Sequence, residues 1–116
     1  MARLDRVAEA IKQEASSIIH DELNDPRIGF ATVTKVELSH DLKHAKIFVS
    51  VLGKEDTKDT FKALESAKGF VRKLLAERLQ MRYTPEILFK EDKSAEYSIY
   101  ISKKLDELKD EKDKTD

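Results

Sequence analysis

A chain of 116 residues, 40% hydrophobic and 39% charged, is long enough for one domain with one continuous core. It fits neither the disordered nor the membrane class. There is no cysteine, which excludes disulfides, thiolate chemistry and a zinc site built on sulfur, and the net charge of −1 gives no overall pull toward nucleic acid.

The first element reads as a helix. Leu4, Val7, Ala8, Ile11, Ala15, Ile18 and Ile19 recur at spacings of three and four, which lines one face of a 3.6-residue period. Asn24-Asp25-Pro26 stops it, because proline disfavours helical geometry at the residue before it. Two strands follow. Alternation from Phe30 to Leu38 puts Phe30, Thr32, Thr34, Val36 and Leu38 on one face, with Lys35 and Glu37 on the other. From Ala45 to Leu52, Ala45, Ile47, Val49 and Val51 share a face, opposite Lys46, Phe48 and Ser50. Ser39 to Lys43 has the length of a hairpin loop.

A turn at Gly53-Lys54-Glu55 leads to a second helical region, with Asp56 or Thr57 as N-cap. Phe61, Leu64 and Ala67 form its stripe, which resumes with Val71, Leu74, Leu75 and Leu79. Gly69 lies between the two runs. Glycine inside a helix costs ~1 kcal/mol relative to alanine, so it implies a bend or a close approach by something else. Tyr83-Thr84-Pro85 ends the region, and Ile87-Leu88-Phe89 reads as a third strand, reached by a crossover expected to be right-handed. Ser94 to Leu108 reads as a last helix with Tyr97, Ile101, Leu105 and Leu108 inward, although residues 97–101 are also strand-like. Residues 109–116 read as a charged, disordered tail. The order predicts an α+β sandwich: a three-stranded sheet with helices over one face. The N-terminus lacks the apolar run of a signal peptide, and no stretch approaches the ~18 apolar residues of a membrane span. A cytoplasmic protein is expected.

Charge is regional. Lys62, Lys68, Arg72, Lys73, Arg78 and Arg82 face only Glu65 and Glu77 between positions 62 and 82, whereas six acidic residues accompany three lysines from Asp106 onward. Around Ser66-Ala67-Lys68-Gly69 a glycine bend lets backbone approach a phosphate, and the following helix offers unpaired N–H groups. Lys68, Arg72 and Lys73 flank it, and Arg72 and Lys73 are expected to project outward. The pattern fits a phosphate cradle; it also fits a kinked helix with a solvated lysine face.

Other chemistry has little support. His40 and His44 lie around a turn with no third ligand of the right kind, and His20 sits among acidic residues, so exposed or capping histidines are expected and no metal. There is no nucleophile elbow, phosphate loop or dinucleotide fingerprint. The reading is therefore not an enzyme, with no cofactor and no small-molecule substrate. The phenylalanines fall mostly on core faces, with Phe70 beside the bend as the candidate for exposure.

Asp25-Pro26-Arg27-Ile28-Gly29-Phe30 before a Thr-Val-Thr strand, the hairpin Val36 to Ile47, Ala67-Lys68-Gly69, and Leu79 to Phe89 together resemble the ribosome-binding factor A family, from about Arg3 to Leu108. The resemblance implies a type II KH-like domain over residues 1–108, in which alanine–any–glycine replaces the usual glycine-rich loop. It implies an assembly factor, monomeric and non-catalytic, that binds the immature 30S subunit. Such a factor associates with the 5′ region of 16S rRNA and its first helix, supports growth in the cold, and leaves before translation. Carried over, the bend is Ala67 and Gly69, and Lys68, Arg72, Lys73 and Arg78 are the RNA-facing positives, with Lys62 and Arg82 in the same stretch. Arg3, Arg6, Arg27, Lys43 and Lys46 come second. Two rivals are a general KH-type RNA-binding module and a protein–protein adaptor. The acidic tail would discourage indiscriminate RNA binding.

Overall fold

The computed structural model describes residues 3–29, 31–51, 57–94 and 104–106. Helix α1 spans Arg3–Ser17, followed by a π-helical turn at Ile18–Glu22. Strands β1 (Ala31–Leu38) and β2 (His44–Val51) form the hairpin, helices α2 (Thr57–Ser66) and α3 (Lys68–Leu79) the crossover, and β3 (Glu86–Glu91) completes the sheet. The sheet order is β1-β2-β3, antiparallel between β1 and β2 and parallel between β2 and β3. This is the α+β architecture expected. The expected last helix falls mostly outside the described residues, including 97–101; Lys104, Leu105 and Asp106 are helical and exposed.

The core lies between the helices and one sheet face. Ile11, Ala15, Ile18 and Ile19 of the first helix meet Ile47, Val49, Ile87 and Phe89 of the sheet and Leu64, Val71 and Leu75 of the crossover, all buried. Adjacent Ile18 and Ile19 are both buried where the backbone widens from the α to the π spacing, which broadens the inward face of that turn. The α2 stripe is Thr60, Ala63 and Leu64, with Phe61 half-buried against the core and Ala67 at the helix break. Buried Thr60 donates its hydroxyl to the Arg27 carbonyl oxygen at 2.7 Å, which fastens α2 to the turn after the first helix.

Strand β1 departs from strict alternation. The register shifts between Val33 and Lys35, so Val33 and Val36, three apart, are the buried positions, while Thr32 is exposed. An extra residue in one strand of an antiparallel pair reverses the facing of everything beyond it. Here that residue is Thr34, whose hydroxyl donates to the Asp92 carboxylate at 2.6 Å. In β2 the expected inward set Ala45, Ile47, Val49 and Val51 is buried. On the outer face the Lys35 ammonium stands 4.6 Å from the Phe48 ring centroid.

The β1–β2 loop closes through the Leu42 N–H on the Ser39 carbonyl at 2.9 Å, with Leu42 at φ 62°. Asp41 accepts from the Ser39 hydroxyl at 2.6 Å and the Lys43 N–H at 3.0 Å. These bonds hold its carboxyl below the usual range. At the end of α3, Gln80 turns left-handed at φ 51°, and its N–H caps the Ala76 carbonyl. Met81 to Pro85 then lead back to β3, where the Glu86 N–H meets the Lys43 carbonyl at 2.8 Å.

A candidate nucleic-acid interface

The helix break sits at Ala67, and Gly69 lies within the first turn of α3. The Ala67 N–H still bonds Ala63 and Leu64 carbonyls at 3.1 Å, and the Val71 N–H bonds the Ala67 carbonyl at 2.9 Å. A Cβ at Gly69 would meet nothing within 4 Å, so no described neighbour requires a glycine there, and its bare backbone faces open space. Phe70 beside it is 45% exposed. Lys62 and Lys73 are exposed, and Lys68 is ion-paired with Glu65. The hollow of about 290 Å³ next to the break includes Glu22 and Asp25 in its lining. Both of these carboxylates are ion-paired, Glu22 with Arg78 and Asp25 with Arg27.

Three of the expected RNA-facing arginines are engaged by other groups of the chain, two of them across elements and one locally. Arg72 does not project outward: its Nε and Nη2 donate to the Pro85 and Thr84 carbonyls at 3.0 and 2.9 Å, and Glu86 lies 3.8 Å from Nη1. The periodicity of α3 turned it away from the core but could not show that the chain entering β3 passes in front of it. Arg78 reaches across to the first helix, to Glu14 at 3.4 Å and to Glu22 at 3.1 Å. Arg27 grips Asp25, with Nη2 at 2.7 Å and Nε at 3.0 Å. Its side chain and backbone N–H hold the Asp25 carboxyl down to about 2. Lys46 is exposed on the outer sheet face in register with Glu37.

The remaining cations converge elsewhere. Arg3 and Arg6 from the start of α1, Lys43 from the hairpin loop and Arg82 from the α3–β3 connection line one groove of about 960 Å³. None of these four is in an ion pair among the described residues. Val7, Ala10, Leu42, Leu79 and Met81 supply an apolar lining, and Asp41 and Glu86 are the acidic residues of the groove. Tyr83 stands in the same groove, 78% exposed, with the Arg82 guanidinium 5.6 Å from its ring centroid. Sequence reasoning treated Tyr83 only as the end of a helix. The adjacent Arg82-Tyr83 pair, a cation beside an aromatic in a connecting segment, was the signal to find.

His20, His40 and His44 are exposed, and among the described residues no group of three or more His, Asp or Glu side chains could hold a metal. No helix among them is long and apolar enough to cross a membrane. The site thus offers fixed positive charge, an apolar floor and one open aromatic ring.

The family profile of ribosome-binding factor A matches residues 3–105. A ribosome-binding factor A of Halothermothrix orenii is 50% identical over 112 residues, covering 96% of this chain and 92% of the relative. The crystal structure of ribosome-binding factor A from Thermus thermophilus superposes with a TM-score of 0.71 at 26% identity, over 78% of this chain and 97% of the other. A Thermus thermophilus ribosome-binding factor A fitted into a cryo-EM map of its complex with the 30S subunit gives a TM-score of 0.65 at 26% identity, covering 81% and 97%. With nearly the whole chain accounted for by one family profile and by a relative sharing half its residues, the chain belongs to the ribosome-binding factor A family.

Proposed function

We propose that this protein is a ribosome-assembly factor that binds the immature 30S subunit through 16S rRNA. It would assist maturation of the 5′ region of that rRNA, in the cytoplasm, as a monomer and without catalysis or cofactor. Support for growth in the cold belongs to the same reading. The observation that carries it is the convergence of Arg3, Arg6, Lys43 and Arg82 on one groove in a chain of this family. Cations from separate chain segments, with no ion pair among the described residues, suit the phosphates of an RNA. Exposed Lys62 and Lys73 on the crossover helices add a second place of positive charge, apart from the groove. Binding a site open only in the immature particle shifts the rRNA population toward the conformer that binds, by the difference in affinity between the two conformers.

The test is co-sedimentation of the purified full chain with isolated small and large subunits, with the double variants Lys62→Ala/Lys73→Ala and Arg3→Ala/Arg82→Ala. Arg72 is a poor choice for such a control because it holds β3. Selective binding to the small subunit, weakened in both variants, is the expected result. Association with neither subunit sinks the reading, and equal binding to any RNA leaves a general RNA-binding module.

A further inference from the structure

We infer that the groove between α1, the hairpin loop and the α3–β3 connection takes an unpaired nucleotide of the RNA, its base against Tyr83 and Met81 and its flanking phosphates on the basic rim. The inference rests on the RNA-binding reading above and deepens it from phosphate contact to recognition of single-stranded RNA.

Three observations carry it. The first is the tyrosine: a ring 78% exposed at the edge of an apolar hollow offers a flat face, and every base can stack on such a face regardless of sequence. The second is the form of the hollow. At about 960 Å³ it lies within the range that accommodates a ligand of nucleotide size or larger, and Val7, Ala10, Leu79 and Met81 line it without charge. Phosphate contact alone has no use for an apolar floor, whereas an unstacked base does. The third is the arrangement of charge. Arg3, Arg6, Lys43 and Arg82 outnumber Asp41 and Glu86 in the groove, and Asp41 is committed to the Ser39 hydroxyl and the Lys43 N–H. Cations from three separate segments in one groove with an apolar lining suit a strand that carries a phosphate on either side of an extruded base. A paired helix keeps its base faces stacked and presents only sugars and phosphates to such a hollow.

The arrangement is separate from the helix break at Ala67. Its side chains come from the start of α1, the hairpin loop and the segment after α3, and none comes from residues 62–73. The two places can therefore be tested independently.

The experiment measures binding of the full chain, by fluorescence anisotropy, to a short labelled single-stranded RNA and to a duplex of the same sequence. It compares the wild type with Tyr83→Ala, Tyr83→Phe and Lys73→Ala, and repeats the small-subunit sedimentation for each. Tyr83 is largely solvent-exposed, so its variants retain the fold, which circular dichroism checks. Single-strand preference in the wild type is expected. Tyr83→Ala should lose roughly tenfold or more in single-strand affinity, and Tyr83→Phe should stay within about twofold, because stacking uses the ring and not the hydroxyl. Duplex binding should be unchanged by either substitution and weakened by Lys73→Ala. Equal affinity of the wild type for both RNAs, or an unaffected Tyr83→Ala variant, overturns the inference while selective small-subunit sedimentation leaves the assembly-factor reading standing. If Tyr83→Ala weakens sedimentation with subunits but not binding to free RNA, the groove holds a protein segment and the inference is also overturned. If the wild type binds neither RNA nor subunits, the broader reading falls with it.

Discussion

Arg72 donates to two carbonyl oxygens of the segment entering β3, whereas Lys73 beside it faces solvent. Arg72→Ala strands the Pro85 and Thr84 carbonyls at a partly buried site, and losing such acceptor partners costs about 1–3 kcal/mol. Lys73→Ala removes an exposed charge and should change stability by less than about 0.5 kcal/mol. Urea unfolding of the two variants, read as shifts in midpoint at constant m, separates them. Residue types were legible in the sequence and their commitments were not. All the candidate cations could be counted, but Arg72, Arg78 and Arg27 find their partners 12, 64 and 2 positions away. Helical periodicity says which way a side chain leaves its helix, not which carbonyl or carboxylate tertiary folding brings to meet it. Tyr83 was missed for the same reason: its exposure is a property of the groove around it.

Among the elements, the helices were readable because long amphipathic runs repeat one period many times. The insertion in β1 was not: there the single extra Thr34 converts an alternating pattern into buried Val33 and Val36. The crossover breaks at Ala67, one of the two bend positions that the family resemblance implied. The bulge also shapes the acid response. Asp92 at the end of β3 is held down to about 2 by Ser94, through its side chain and backbone N–H, and by the Thr34 hydroxyl. A carboxyl whose folded value lies below its unfolded value stabilises the fold above the unfolded value, and that contribution is lost as pH falls through the folded one. The window therefore runs from pH ~4 down to about 2. Asp92→Asn should unfold at a urea midpoint less dependent on pH across that window than the wild type. The dependence that remains in the variant comes, among the described residues, from Asp25, which Arg27 holds down to about 2 as well, and from Asp41, which the Ser39 hydroxyl and the Lys43 N–H hold below the usual range. An unchanged pH profile in the variant would show that the Thr34–Asp92 contact does not couple β1 to β3.

At the scale of the molecule, the order of elements and the sheet were readable, but the groove was not, because its walls come from residues 3–10, 41–44 and 79–86. No local window contains it, and a net charge of −1 conceals it. That charge pattern has a measurable signature. Four cations in the groove meeting a single strand imply that log affinity falls against log salt with a slope of about −3. Arg3→Ala/Arg82→Ala should make that slope shallower by about 1.5 units, half of the total. A slope that stays the same would remove those two arginines from the contact.

The parallel pairing of β2 with β3 joins residues such as Ile47 and Phe89 across roughly forty positions, whereas the β1–β2 hairpin closes over a short loop. Loop-closure entropy must be met before such distant contacts give any return, so the hairpin forms early and the last strand docks late. Tyr83, Thr84 and Glu86 lie in the segment that docks with that strand. A partly synthesised or partly folded chain therefore has the hairpin but no groove. The capacity to engage a partner there arrives in one step, when β3 docks, and a chain that still lacks that strand presents no groove.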